Sequence, residues 1–273
     1  MCVYSALVLA LAFALAHPAS AQPATEADKL NAEVMRLYRA GKFLEAIPLA
    51  KRALALREKA LGPEHQDVGP LLNNLAGLYR AQGRYAEAEA LSKRNLALRE
   101  KALGPEHPLV GQALNNLAEL YRSQGRLAEA EPLYKRTILI LQKVLGPEHS
   151  DVGTSLNNLA ELYRAQGRYA EAEPLYKRGL AIREKALGPE HPDVGQSLNN
   201  LAELYREQRR YAAAEPLFKR DLAISEKALG PEHPDVARSL NNLAGLYESQ
   251  GRYAEAEPLY TRSLALSAAR QSG

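Results

Sequence analysis

Apolar residues recur along most of this chain at i, i+3, i+4 and i+7, the spacing that gathers them on one side of an α-helix. The pattern is clearest after His149. Leu156, Leu159, Ala160 and Tyr163 form one stripe, and after a break at Gln166-Gly167-Arg168 a second runs through Ala172, Leu175, Tyr176, Gly179 and Ile182. Two amphipathic helices joined by a short turn are predicted. Glu171, Lys177, Arg178 and Glu184 fall off the second stripe and are assigned to a solvated outer face. On that face Glu173 and Lys177 are spaced i, i+4 in the favourable order, as are Glu89 with Lys93, Glu131 with Lys135 and Glu215 with Lys219.

The same helical pair recurs. Gly62, Gly104, Gly146, Gly188 and Gly230 stand a constant 42 residues apart, each opening nearly the same text. A period of this size predicts units that bury their apolar faces by stacking on one another. Six units follow, at about 25–61, 66–103, 108–145, 150–187, 192–229 and 234–270, with 271–273 as a tail. The first lacks the LNNLA text but keeps the stripe through Leu30, Val34 and Leu37, and its Glu26, Asp28, Lys29, Glu33 and Arg36 suit a polar end cap. The last unit ends without an added polar helix, so its flank is a candidate surface for self-association.

Turn chemistry agrees with these boundaries. Gly83, Gly125, Gly167 and Gly251 lie between the two helices, where glycine adopts a left-handed conformation at least cost, and Arg209 replaces the glycine in the fifth unit. Each second helix is predicted to stop at Leu-Gly-Pro. The next is predicted to start around His-Pro-Asp, with Pro108, Pro192 and Pro234 in its first turn and Asp151, Asp193 and Asp235 at the positive end of its dipole. Pro132, Pro174, Pro216 and Pro258 fall about a turn inside the second helices.

Charge and composition narrow the function classes. The 35 basic and 32 acidic residues are interspersed, a net of +3, so there is no concentrated basic face of the kind nucleic acid requires, and no nucleic-acid partner is expected. Cys2 is the only cysteine, which removes a disulfide framework and a thiolate metal site. The start of the chain differs from the rest: Val3 to Ala16 is almost wholly apolar, and Ala19-Ser20-Ala21 is a small-x-small cleavage pattern. Residues 1–21 are therefore expected to be a signal peptide, giving an exported, periplasmic or secreted chain with no stable membrane insertion after cleavage. No basic residue precedes the apolar run, which leaves an uncleaved anchor as the alternative.

Leu156-x-x-Leu159-Ala160-x-x-Tyr163 followed by Ala172-x-x-x-Tyr176 resembles the tetratricopeptide repeat pattern, with leucine in place of the usual tryptophan and alanine in place of the first small glycine. The 42-residue period, LNNLA and the GPEHP linker are similar to the longer repeats of kinesin light chains and their bacterial relatives, over about Thr25 to Ala269. The resemblance implies an all-α, right-handed α-solenoid of about six antiparallel helix pairs. It also implies a concave groove lined by the first helix of each pair and a protein–protein interaction role.

On that reading, positions repeated in the text become columns in space. One column is Asn31, Asn73, Asn115, Asn157, Asn199 and Asn241; a second is Glu119, Glu161 and Glu203, with Gly77 and Gly245 at its ends; a third is Arg80, Arg122, Arg164 and Arg206, with Glu248 last. Asparagine both donates and accepts, so such a column suits the main chain of an extended peptide, and arginine can hold carboxylates. Within a unit Glu and Arg are spaced i, i+3 and partly neutralise each other. Arg80 and Glu248 lack such a partner, so the N-terminal part of the groove is expected to prefer acidic groups. The neighbouring asparagines at 74, 116, 158, 200 and 242 are expected to bond between helices, and Tyr79, Tyr121, Tyr163, Tyr205 and Tyr247 to be core.

His65, His107, His149, His191 and His233 repeat with the period, which places them too far apart to share one metal; they are read as linker residues at helix starts. No HExxH, GxSxG or phosphate-cradling glycine loop occurs. The chain is thus expected to be a non-catalytic scaffold, without cofactor or metal, that binds a protein or peptide partner. Self-assembly through the C-terminal end is the second reading.

Overall fold

The computed structural model describes residues 25–272, with side chains to residue 268; the expected signal segment lies outside the described residues. Twelve α-helices follow one another in pairs: α1 Glu26–Arg39 and α2 Phe43–Leu61; α3 Gly69–Ala81 and α4 Tyr85–Leu103; α5 Pro108–Ser123 and α6 Leu127–Leu145; α7 Ser150–Ala165 and α8 Tyr169–Leu187; α9 Pro192–Glu207 and α10 Tyr211–Leu229; α11 Val236–Ser249 and α12 Tyr253–Ser272. There is no strand among the described residues, and no helix among them is long and apolar enough to cross a membrane.

Local chemistry sets the boundaries. In each linker the histidine accepts at Nδ1 from the backbone N–H two residues on, as His149 does from Asp151 at 3.2 Å, and His107, His149 and His191 are thereby the N-caps of α5, α7 and α9. The turn within a pair places Gly167 at φ +72, and Arg209 holds the same left-handed conformation at φ +59. The turn is unchanged there: Arg210 N–H reaches Tyr205 C=O at 2.8 Å, as Arg168 N–H reaches Tyr163 C=O. Two helix starts differ from the sequence reading. A 3-10 turn over Gln66–Val68 precedes α3, and α11 begins only at Val236, leaving Pro234 and Asp235 in a turn outside the helix.

Each second helix packs on its own partner and on the first helix of the next pair, forming one continuous array. Leu72, Leu114, Leu156, Leu198 and Leu240 repeat the same fully buried position, each contributing about 1.5–3 kcal/mol of hydrophobic stabilisation. The two helices of a pair cross most tightly where residues are small. A Cβ built on Gly179 would lie 2.9 Å from the Gly153 carbonyl oxygen. In this register the hydroxyls of Thr137 and Ser263 donate to the facing carbonyls of Gly111 and Ala237 at 3.1 and 3.0 Å. Asp221 occupies the same place at 1 % exposure with neither carboxylate oxygen hydrogen-bonded, and burial raises its pKa.

The joints between pairs rest on a glutamate of the second helix. Glu131 accepts from Tyr163 Oη at 3.1 Å and from Arg168 Nη1 at 2.7 Å in the next pair, and from Lys135 at 2.6 Å on its own helix. The Arg168 guanidinium stacks 4.0 Å from the centre of the buried Tyr163 ring. Glu89, Glu173 and Glu215 repeat the arrangement. These four glutamates are therefore inter-repeat clasps, whereas the i, i+4 lysine spacing alone had assigned them to a solvated face.

Candidate functional site

First helices of neighbouring repeats touch directly, α3 with α5, α7 with α9 and α9 with α11, while consecutive second helices are spanned by long side chains such as Arg136 to Glu100 at 2.7 Å. Closer spacing on one side makes the first helices the inner face of a curved stack. The predicted site residues all stand on these helices, and the structure brings them together as two linked ladders.

The asparagines form the first. Asn74, Asn116, Asn158, Asn200 and Asn242 donate through Nδ2 to Oδ1 of Asn31, Asn73, Asn115, Asn157 and Asn199 in the preceding repeat, at 2.6 to 3.3 Å. The second asparagine of each LNNLA thus bonds between helices, and its partner is the first asparagine one repeat earlier. This alters the peptide-facing chemistry expected of the first column. From Asn31 to Asn199 its carbonyls are engaged by the array, so what it offers a ligand is its remaining amide N–H groups beside the Oδ1 atoms of the second column, except at Asn199, whose amide donates to Asn200 Oδ1 at 3.5 Å. Asn157 and Asn199 are buried, and Asn241, with no such donor above it, is exposed.

The charged residues form the second ladder. Arg122 Nη2 donates to Glu119 at 2.9 Å, and its Nη1 stands 3.6 Å from Glu161. Arg164 lies 3.7 Å from Glu161 but turns its hydrogen bond to Glu207, at 2.8 Å. Arg206 donates to Glu203 at 2.6 Å. Glu119 is only 6 % exposed and also accepts from the buried hydroxyl of Tyr134; Tyr176 makes the same bond to Glu161 at 3.1 Å. Burial, together with the carboxylate each one faces, pushes both phenols far above their ordinary pKa, so they remain donors. Glu119 is accordingly a structural acceptor and not a free ligand group.

The two ends of the ladder differ from the sequence expectation. Glu248 is not left alone, since Tyr260 Oη donates to it at 2.7 Å. Arg80 faces Glu119 of the next repeat, but only at 4.0 Å, beyond hydrogen-bond reach. The tyrosines at 134 and 176 were the functional neighbours the sequence reading missed. The signal was present as an aromatic at 134, 176, 218 and 260, fifteen residues after the groove position in the first helix, but nothing in the spacing showed that these rings reach under the groove.

Clasp electrostatics support the frame. Hydrogen bonds from Arg126 and Lys93 hold the Glu89 carboxyl at about 2, and those from Lys135 and Arg168 do the same for Glu131. No cluster of three or more histidine, cysteine or acidic side chains among the described residues could hold a metal ion.

Comparison with known proteins agrees with this architecture. Family models described as tetratricopeptide repeat match residues 67–143, 111–185, 151–227 and 193–269, and another of the same description matches 27–67. A Podosopora anserina protein, titled a kinesin light chain with nearly identical TPR-like repeats, is 32 % identical, with a TM-score of 0.64 over 77 % of this chain and 99 % of its own. BtubC (BKLC) from P. vanneervenii is similar in fold, with a TM-score of 0.68 at 24 % identity over 89 % of this chain and 93 % of its own. A Rap protein solved in complex with Competence and Sporulation Factor shares the fold at 16 % identity and a TM-score of 0.63, over 88 % of this chain and 74 % of its own. Among curated proteins no significant match is found. Period, stacked helix pairs and family models converge, and the chain belongs to the tetratricopeptide repeat family, in its kinesin light chain-like form.

Proposed function

We propose that the chain is a non-catalytic scaffold that holds a segment of a partner protein along the inner face formed by α3, α5, α7, α9 and α11. The observation that carries this reading is the pair of ladders. Rows of amide donors, amide acceptors and guanidinium groups stand at fixed spacing on rigid helices, and those of the central repeats are hydrogen-bonded to a neighbour before any ligand arrives. Donors fixed in advance lose little side-chain entropy on binding. A Rap protein of the same fold has been solved in complex with Competence and Sporulation Factor, which adds support of a general sort. Charges of both signs are paired along the surface, which favours a protein over a nucleic-acid partner. The apolar run and small-x-small pattern within residues 1–21 favour an exported chain.

The test is a groove variant, Asn115→Ala with Asn157→Ala and Arg122→Ala, used to capture the natural partner. Loss of capture with an unchanged helical spectrum supports the groove; unaltered capture moves the site to the outer face.

One observation favours a second reading. Leu264 on α12 is 71 % exposed, whereas its equivalents Leu54 and Ile138 are buried under the following repeat. That apolar flank suits association of two copies through their C-terminal ends. Mass measurement in solution with and without residues beyond Ala254 separates the readings, since a scaffold acting alone keeps a monomer mass in both forms.

A further inference from the structure

The second repeat breaks the ladder in two places at once. Where the third and fourth repeats carry Glu119 with Tyr134 and Glu161 with Tyr176, the second carries Gly77 with Ser92. Both halves of a buried carboxylate–phenol pair are missing from one spot, and the structure leaves that spot open. A small pocket of about 70 Å³, open to solvent at its mouth, lies there. Val34, Met35 and Leu120 form its apolar wall, and Arg80, Ser92, Asn73 and the carboxylate of Glu119 its polar side; Glu119 stands to Arg80 as Glu161 stands to Arg122, one repeat on.

The groups lining it lack what their counterparts have. Arg122, Arg164 and Arg206 each hydrogen-bond a glutamate, at 2.9, 2.8 and 2.6 Å. Arg80 hydrogen-bonds nothing among the described residues, and its nearest carboxylate, Glu119 at 4.0 Å, is already committed to Arg122 and Tyr134. Ser92 is 8 % exposed and its hydroxyl also has no hydrogen-bond partner among the described residues. A guanidinium and a hydroxyl facing one open volume can both donate to a single acceptor, and an anionic acceptor gains most. The other repeats show which group fits there, because a carboxylate stands at that position in three of them.

We infer that this pocket is an acidic-residue subsite of the groove: an Asp or Glu side chain of the bound partner enters at Gly77, takes a charge-assisted bond from Arg80 and a second from Ser92, and completes the ladder in trans. The inference rests on the groove reading above and gives it a register. Among the groove-column arginines Arg80, Arg122, Arg164 and Arg206, Arg80 alone lacks a hydrogen-bonded carboxylate among the described residues, so an acidic residue of the partner is fixed here and the rest of its chain runs toward the third and later repeats.

The array supplies its own blocking variant. Gly77→Glu with Ser92→Tyr writes the third repeat's pair into the second, and a Cβ at Gly77 meets nothing within 4 Å, so the fold accommodates it. The probes are fluorescein-labelled hexaglutamate and hexaglutamine, followed by anisotropy at low ionic strength. Hexaglutamate is expected to bind more tightly than hexaglutamine and to lose about 10-fold or more in both Gly77→Glu/Ser92→Tyr and Arg80→Gln. Lys177→Gln, which removes the same charge from the outer face, is expected to change binding by less than about 2-fold. Should the filled variant fail to fold, Arg80→Gln carries the test alone, because that side chain makes no hydrogen bond to lose. Equal binding of the two peptides, retention of hexaglutamate by Arg80→Gln or by the filled variant, or an equal loss in Lys177→Gln overturns the inference. Failure here is distinguishable from failure of the groove: natural-partner capture that needs Asn115, Asn157 and Arg122 but tolerates the filled pocket refutes the subsite alone.

Discussion

Removing one clasp in the middle of the array tests the claim that the repeats are held by glutamates reaching into the next pair. In Glu131→Ala, Tyr163 Oη loses its acceptor at 3.1 Å inside a buried contact, which costs on the order of 1–3 kcal/mol for an unsatisfied hydroxyl. Arg168 keeps Glu171, which accepts from both its Nε and Nη2 at 2.6 Å, so its loss is small, and exposed Lys135 adds a few tenths at most. The sum is about 2 kcal/mol, and for a chain of this size it corresponds to a fall in Tm of about 4–8 °C. Glu257 is the internal control. It holds the same register in α12 but makes no hydrogen bond or ion pair through its side chain to any Tyr or Arg among the described residues, so Glu257→Ala is expected to stay within about 0.5 kcal/mol of the parent. Urea and thermal melts followed by circular dichroism measure both. If the two variants lose the same stability, or if Glu131→Ala loses none, the clasp reasoning is wrong.

Further outcomes follow from single positions. Arg209→Gly relieves a left-handed arginine at φ +59 and is expected to stabilise by about 1 kcal/mol in urea melts, a gain that Arg210→Gly does not give. Gly179→Ala forces a methyl to 2.9 Å from the Gly153 carbonyl oxygen and is expected to destabilise by about 1–3 kcal/mol, visible as a lower melting midpoint. Asp221→Thr, which copies Thr137, is expected to stabilise at neutral pH by supplying a donor to the facing carbonyl in place of an unsatisfied buried carboxylate. The two kinds of carboxylate give opposite pH dependences. The Glu89, Glu131, Glu173 and Glu215 pKa values are depressed from 4.5 to about 2 in the fold, so their stabilisation is present above about 4.5 and is lost as pH falls toward 2. Asp221 is raised by burial, so its contribution is present below the ordinary aspartate range and is lost as pH rises through its folded value; melts of Asp221→Asn against pH should lack that upper loss while keeping the acid one.

Much of this architecture was legible because a helix writes its buried face at 3.6-residue intervals and a stack writes its period directly. Leu156, Leu159, Ala160 and Tyr163 were placed in the core by spacing alone, and they are buried. What spacing within one helix could not show were contacts set by the offset between repeats. Glu131 has a lysine four residues on, which gave a sufficient local reason for it to be charged; its partners in the next pair lie 32 and 37 residues away. The Asn157 to Asn200 bond spans 43 residues, one more than the period, so it joins different columns and not equivalent positions. Tyr176 belongs to the apolar stripe by its spacing, and its ring is buried, but its hydroxyl donates to Glu161 at 3.1 Å, a contact the stripe does not show. The start of α11 falls later than the sequence reading had it: His233 still accepts from Asp235 N–H, but Pro234 and Asp235 remain in the turn and Asp235 becomes the N-cap.

The central claim, that a partner lies along the first helices, is tested most directly by site-specific photo-crosslinking of the complex with its natural partner. A photoreactive side chain replaces Asn115 or Gly77 on the inner face, or Lys177 or Lys135 on the outer one. The account predicts covalent adducts from the inner positions and none from the outer. Adducts from Lys177 and Lys135, with none from Asn115 or Gly77, would contradict it.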